Sequence, residues 1–132
     1  MYTTLELFEA RLGPVYAEVY GAATPRAIAD LDAAQAEIDG WLAKRYAVPL
    51  TASGAVALAA EWQLVLASEI AYLATASSKM PEKLADRVKL VRERLAAAAA
   101  GDFRLPGAAE TAEFGAVSIE CDPPQFGRNM GY

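Results

Sequence analysis

The sequence predicts a small all-α protein: a bundle of about four helices followed by an extended C-terminal arm. Apolar residues recur every three or four positions in three separate stretches, which is the spacing of one helix face, and a further stretch is apolar nearly all round. Hydrophobic residues make up 55% of the 132 residues but aromatics only 9%, so alanine, a strong helix former, supplies much of the apolar content. After Gly101 the composition changes to glycine, proline and short polar residues. We therefore expect a helical domain over residues 1–101 and an arm over residues 102–132.

The first predicted helix is short. Thr3 or Thr4 can cap its N-terminus, and Gly13 followed by Pro14 ends it. Its apolar face consists of Leu5, Phe8 and Leu12. The residues that follow, as far as Gly21, form a loop or a second short helical piece.

The second predicted helix is long and runs from Pro25 to about Arg45, with Thr24 as its N-cap. One narrow seam follows its length and consists of Ile28, Leu31, Gln35, Ile38 and Leu42. This seam faces either the protein's own core or a neighbouring subunit, and the core is favoured because apolar stripes at this spacing are commonest there. Val48 before Pro49 stops the helix, since the residue before a proline is pushed out of helical geometry.

The third and fourth predicted helices differ in how their apolar residues are distributed. The third, capped by Thr51 or Ser53 and reaching about Ser77, is apolar nearly all round. Such a helix, which includes Trp62, belongs in the centre of a bundle or at a surface that another subunit covers. Pro81 opens the fourth helix, which has a single apolar stripe and ends at Gly101; the stripe consists of Leu84, Val88, Val91 and Leu95.

The arm combines turn-forming residues with apolar anchors. The alternating run at 116–120, Ala-Val-Ser-Ile-Glu, is compatible with a short β-strand. Near the C-terminus, Phe126, Met130 and Tyr132 are apolar residues that a merely solvating tail does not need. We expect the arm to dock on a partner, and plain disorder is the alternative.

Charge and composition exclude several classes of protein. The formal net charge of −5 argues against nucleic-acid binding by bulk charge. A single cysteine, Cys121, allows no intramolecular disulfide, and the first residues lack the pattern of a signal peptide. The most apolar stretch, residues 54–73, is interrupted by Glu61, Gln63 and Glu69, so we expect a soluble protein and no membrane partner.

The residue types also argue against catalysis. Without histidine, serine–histidine and cysteine–histidine mechanisms are excluded. Cys121 lies between Glu120 and Asp122, which raise a thiol's pKa and disfavour the reactive thiolate. We therefore expect no enzyme, no cofactor and no metal site. The acidic residues of the second helix are interpreted as its solvated face: Asp30, Asp32, Glu37 and Asp39.

Two features of the charge pattern predict ion pairs. Glu61 and Glu69 lie two turns apart in the apolar third helix, where an arginine from a neighbouring helix or subunit can pair with each. A basic excess over residues 79–94 could contact an acidic partner or DNA, but acidic residues are interleaved with it at helical spacing. A solvated face held by weak ion pairs is the favoured interpretation.

Several segments resemble the Mu-like phage head-tail connector, or head completion, proteins. The most specific is AEIDGWLAKRYAVPL at 36–50, in which Ile-Asp-Gly-aromatic-Leu is followed by Arg-Tyr and then Pro-Leu. The opening MYTTLELFEARLG, SEIAYL at 68–73, the helix after Pro81 and the final PPQFGRNMGY resemble the same family in the same order. The chain departs from the family between Gly13 and Ala29, where many relatives carry an acidic connection.

The resemblance implies a structural subunit at the head-tail junction of the virion, assembled in the host bacterial cytoplasm. It would form a homo-oligomeric ring, expected to be dodecameric to match the portal, and contact the portal and tail terminator or other tail proteins. DNA would only pass through the channel. The expected contact residues are Phe126, Arg128, Met130, Tyr132, Trp62 and Tyr46. For Tyr46 a position in the protein's own core is the favoured alternative. The alternative function is a helical dimer, adaptor or regulatory protein of a prophage, paired through the 28–42 seam.

Overall fold

The computed structural model describes residues 1–75 and 79–108. Within these ranges the chain forms helices and loops without a β-sheet, which confirms the all-α prediction. The helices are α1 (Leu5–Leu12), α2 (Pro14–Val19), α3 (Thr24–Leu42), α4 (Ser53–Ala74) and α5 (Glu82–Ala100). The described part thus has one helix more than expected, because the stretch that could be loop or helix forms α2.

The α1–α2 corner follows from local sequence. Thr4 caps α1, its side chain accepting a hydrogen bond of 3.2 Å from the amide of Leu7. Gly13 then adopts a φ of 60°, a conformation that glycine reaches without strain, and Pro14 starts α2 in its first turn. The turn places the buried faces of both helices against α4.

The seam of α3 faces the core. Leu31, Ile38 and Leu42 are all 0% exposed, whereas Ile28, at the N-terminal end of the seam, is 38% exposed. The favoured core interpretation is confirmed for these three residues, which offer no surface for pairing two subunits. The helix also begins one residue earlier than predicted. Ala23, not Thr24, is the N-cap and no side chain caps the helix, since proline is accepted at either of the first two helical positions.

Helix α4 is the centre of the bundle, as its all-round apolar character predicts. It packs against α1, α2, α3 and α5. By length and composition alone it could cross a membrane, with a mean hydropathy of 1.3, but half of it is buried inside the fold. Contact with four other helices accounts for that composition. Neither Thr51 nor Ser53 caps α4, because Ala52 holds the N-cap position.

The chain remains packed beyond the predicted domain end. Gly101 caps α5 with a left-handed φ of 89°, as predicted. The next residues turn back onto the helices, where Phe103 is half-buried and Leu105 is 3% exposed. The packed region therefore extends past 101 to at least Leu105. The predicted strand at 116–120 lies outside the described residues, as do Cys121 and the final residues of the arm.

Candidate interaction groove

A groove lies between the C-terminal end of α1, one face of α4 and the N-terminal part of α5. It has a volume of about 630 Å³. Helix α4 contributes Glu61, Val65, Ser68 and Tyr72, whose spacing of four, three and four residues places them on one helix face. The other lining residues are Arg11 and Leu12 of α1 with Pro81, Lys83, Leu84 and Arg87 at the start of α5. We call this the α1/α4/α5 groove.

An ion-pair triad joins the three helices at one end of the groove. The two terminal nitrogens of Arg11 donate to the two carboxylate oxygens of Glu61, at 3.0 and 3.1 Å. Arg87 donates to the same carboxylate at 3.1 Å from the other side. The hydrogen bond from Arg11 is the main cause that lowers the pKa of Glu61, and the same bond raises the pKa of Arg11. Glu61 therefore stays ionised well into the acid range.

The floor of the groove is apolar. Leu12 and Val65 are 4% and 1% exposed, and Tyr72 and Leu84 are half-buried beside them. Ser68 is the polar exception, but its hydroxyl donates to the carbonyl of Leu64 at 2.7 Å and is therefore satisfied within α4. A ligand in the groove therefore contacts apolar side chains at the floor and charged side chains at the rim.

The rim carries an excess of positive charge. Three of its side chains are cationic, Arg11, Lys83 and Arg87, while Glu61 is its single carboxylate. Lys83 is exposed and makes no ion pair with any residue that the structure describes. An apolar floor with a basic rim favours a segment that presents apolar side chains flanked by acidic ones. In a chain of net charge −5, this local charge stands out.

A smaller hollow of about 220 Å³ adjoins the groove on the other side of Glu61 and Arg87. Leu90, 48% exposed, forms part of its wall. Trp62 lies at its base and packs against Phe103 with ring centroids 6.2 Å apart, and Arg94 stacks over Phe103 at 5.2 Å. The hollow therefore extends the apolar surface of the groove along α5.

The family model described as Bacteriophage Mu, Gp36 matches residues 18–118. The chain belongs to this family. Members are phage proteins, and membership indicates a structural or assembly role for a virion-associated protein made in the host. No curated protein and no solved structure matches the chain.

The Gp36 family match confirms the Mu-like resemblance and adds its extent. It includes α3, α4 and α5 completely, and it begins at residue 18. That start lies inside the stretch from Gly13 to Ala29 for which a departure from the family was predicted, and residues 18–29 are included in the match. The α4 and α5 walls of the groove thus lie within the matched region, whereas Arg11 and Leu12 lie before it.

The expected contact residues fall into two groups. Tyr46 and Trp62 are 2% and 5% exposed, so they offer a partner almost no surface in the protomer. The hydroxyl of Tyr46 instead accepts a hydrogen bond of 3.3 Å from the amide of Leu105, which holds residues 102–108 against the bundle. These positions agree with the core interpretation of Tyr46. The other four residues, Phe126, Arg128, Met130 and Tyr132, lie outside the described residues.

Both predicted glutamate–arginine pairs form, and both join neighbouring helices. Glu69 accepts from Arg92 at 2.9 Å, and Arg92 also donates to Glu37 of α3 at 2.9 Å. The hydrogen bond to Glu37 is the main cause that raises the pKa of Arg92. Arg87 and Arg92 thus use part of the basic excess over 79–94 for pairing with carboxylates of α3 and α4, whereas the favoured interpretation paired this excess with the acidic residues interleaved on the same helix.

Local sequence patterns do not predict the groove itself. The available signal is Glu61, a charged residue in an otherwise apolar helix. Which arginines it would meet depended on the crossing of α1 and α5 over α4, and no periodicity within one helix encodes that crossing.

Proposed function

We propose that the protein is a head-tail connector subunit, acting without catalysis in a ring between the portal and the tail, with DNA passing through the ring. Membership of the Gp36 family is the observation that carries this proposal, because it assigns the chain to phage structural or assembly proteins. The finer assignment rests on the resemblance of residues 36–50 and the other segments to Mu-like connector proteins.

The surface charge supports this function. Acidic side chains are exposed on several helices, among them Glu6 and Glu9 of α1, Asp32 of α3 and Glu93 of α5. A channel wall that repels phosphates lets DNA slide, whereas a basic wall would hold it by counterion release. The pairing of Arg87 and Arg92 with carboxylates further reduces the positive potential that DNA could meet.

The surface also offers different features for the two neighbours that each subunit of a ring must contact. A ring needs a heterologous interface, in which one surface fits a different surface on the next copy. The α1/α4/α5 groove is a concave feature on one side of α4. Exposed apolar side chains occur elsewhere on the protomer, the largest fraction being the 72% of Leu73.

The proposal is tested by removing the protein from an assembling phage. We expect the deletion to yield filled heads and separate tails in negative-stain images, and complementation in trans to restore joined particles. Labelling with an antibody should mark the head-tail junction of wild-type particles. Joined, infectious particles that lack the protein would contradict the proposal, as would labelling confined to capsid faces or the tail tip.

A second experiment tests the ring directly. Native mass spectrometry of the purified chain, alone and together with the portal, should reveal a closed homo-oligomer whose copy number matches that of the portal. A protein that stays monomeric in both samples would argue against a ring.

A further inference from the structure

We propose that the α1/α4/α5 groove binds residues 109–122 from a neighbouring copy of the chain, so that each subunit inserts its arm into the next. The inference rests on the proposed ring and names the contact that closes it. It assigns a role to the groove, which the proposed function leaves open, and a destination to the first part of the arm.

Charge and apolar content of the two partners are complementary. The segment 109–122 contains Glu110, Glu113, Glu120 and Asp122 and no lysine or arginine. The groove rim contributes three cations against one carboxylate, and Lys83 has no ion pair among the described residues. Apolar side chains for the floor come from the same segment: Phe114, Val117 and Ile119. An acidic segment with apolar anchors is the chemistry that this groove favours.

The point at which the segment leaves the bundle favours a neighbouring copy. Pro106 packs over Gly54 and Gly107 lies against Ala52, at the N-terminal end of α4. The groove begins at Glu61 and continues to Tyr72, which is roughly 10 to 27 Å further along the helix at 1.5 Å per residue. The residues that precede the donor segment and the acceptor groove therefore lie at different positions along α4, which suits a head-to-tail arrangement that joins two different surfaces.

The length of the segment is sufficient. Fourteen residues, 109–122, span at most about 50 Å when fully extended. That exceeds the length of α4, about 33 Å for its 22 residues, so the segment can pass from the end of one protomer into the groove of the next. The same length also reaches the protein's own groove, and the experiment below distinguishes the two.

Disulfide trapping tests the contact, because Cys121 is the single cysteine of the chain and lies in the segment. One copy carries Lys83→Cys together with Cys121→Ser, and a second, differently tagged copy has the natural sequence. A disulfide between position 83 and Cys121 can then form only between copies. Particles assembled from both copies, after mild oxidation, should contain the crosslinked pair.

The matched control places the new cysteine at Lys89, which is exposed on α5 but does not line the groove. We expect the disulfide to Cys121 to form at least about tenfold faster from position 83 than from position 89. For thiols of similar reactivity, the proximity of the two sulfur atoms sets the rate at which mild oxidation joins them. Equal rates at the two positions, or no crosslink at either, would overturn the inference.

A third variant, Lys83→Cys with Cys121 retained, distinguishes the neighbour's groove from the protein's own. Multimeric ladders on oxidation support the proposal, whereas a monomer with an internal disulfide overturns it. Charge reversal gives an independent measurement: Lys83→Glu should raise the dissociation constant of the assembly about tenfold, and Lys89→Glu should leave it unchanged.

Failure of the inference is distinguishable from failure of the proposed function. Particles that contain the protein but show no preference for position 83 refute the groove contact and leave the connector role intact. Joined particles without the protein refute the connector role itself.

Discussion

At the scale of single residues, Gln63 best illustrates how a buried polar group is retained. It is 0% exposed in the middle of α4, yet both its amide oxygen and its amide nitrogen form hydrogen bonds. Its oxygen accepts from the amides of Tyr2 and Thr3, both at 3.0 Å, and its nitrogen donates to the carbonyl of Leu31 at 2.8 Å. One side chain thus fixes the N-terminal residues and α3 to the central helix, at a site without water to replace it.

We expect Gln63→Leu to lower the free energy of unfolding by about 3 kcal/mol, because the buried amide of Thr3, the part-buried amide of Tyr2 and the carbonyl of Leu31 lose their partner. Urea denaturation at neutral pH measures the change. The control is Gln35→Leu on α3, where a half-buried amide makes one hydrogen bond of 3.3 Å to Asp39 and the loss should stay below about 1 kcal/mol. Equal effects of the two substitutions would show that Gln63 is not the link described here.

At the scale of elements, α3 distinguishes the core interpretation of its seam from the subunit interpretation. Ile38 and Ile28 belong to the same predicted seam and are the same residue type, but their side chains are 0% and 38% exposed. The difference arises because the buried stripe of α3 runs through Ala27, Leu31, Ala34, Ile38 and Leu42, so that Ala27 and not Ile28 faces the core in the N-terminal turn. The helix therefore contains a matched pair of test positions.

Substitution of Ile38 by Asp should unfold the protomer. An unpaired carboxylate at a fully buried position costs roughly 4 kcal/mol or more, a large part of a typical domain's stability. The same substitution at Ile28 should change stability by less than about 1 kcal/mol, since that side chain can reach water. Circular dichroism of both variants measures the outcome, and a folded, monomeric Ile38→Asp protein would restore the idea that the seam joins subunits.

Two glycines should respond to alanine in opposite directions. Gly101 has a φ of 89°, and an added Cβ would lie 2.6 Å from the Arg45 guanidinium, so Gly101→Ala should destabilise the protein by about 1 kcal/mol or more. Gly40 is within α3 with open space around it, so Gly40→Ala should stabilise the helix by up to about 1 kcal/mol. Thermal denaturation measures both changes, and a shared sign would contradict the assigned helix end.

At the scale of the whole molecule, two ion-pair junctions hold α5 onto the rest of the bundle. Glu61 joins α5 to α1 through Arg87 and Arg11, and Arg92 joins α5 to α3 and α4 through Glu37 and Glu69. The junctions lie on the surface of the packed core and not within it. Their effect on stability is therefore modest, and the apolar face of α5, with Val88, Val91, Leu95 and Ala98 in the core, supplies most of its packing.

Glu61→Gln should lower the free energy of unfolding by no more than about 1 kcal/mol at neutral pH, because the side chain is 39% exposed and water screens both pairs. Folding lowers the pKa of Glu61, so its contribution is present above the ordinary carboxyl pKa of 4.5 and is lost as the pH falls through the folded-state value. The difference between wild type and variant should disappear there. Glu93→Gln, on the exposed face of α5, serves as the control and should leave the free energy of unfolding at neutral pH nearly unchanged.

Most of the fold was predictable from local patterns. Apolar spacing located α1, α3, α4 and α5, the all-round apolar character of α4 placed it at the centre, and Gly101 marked the end of α5. The predicted N-caps of α3 and α4 were wrong. Ala23 and Ala52 hold the two N-cap positions, and no side chain caps either helix. The additional helix α2 formed where the sequence allowed both interpretations.

By itself, the sequence determined the helical class, the central position of α4, the family and the presence of arginine partners for Glu61 and Glu69. Periodicity, composition and motifs belong to the sequence and are the same however the helices pack. Only the tertiary structure decided which arginines those partners are, that Tyr46 and Trp62 are buried, and that a basic-rimmed groove exists. Each of these depends on how residues of α1, α4 and α5, distant in sequence, meet when the helices cross, because a groove is a property of the packing between elements.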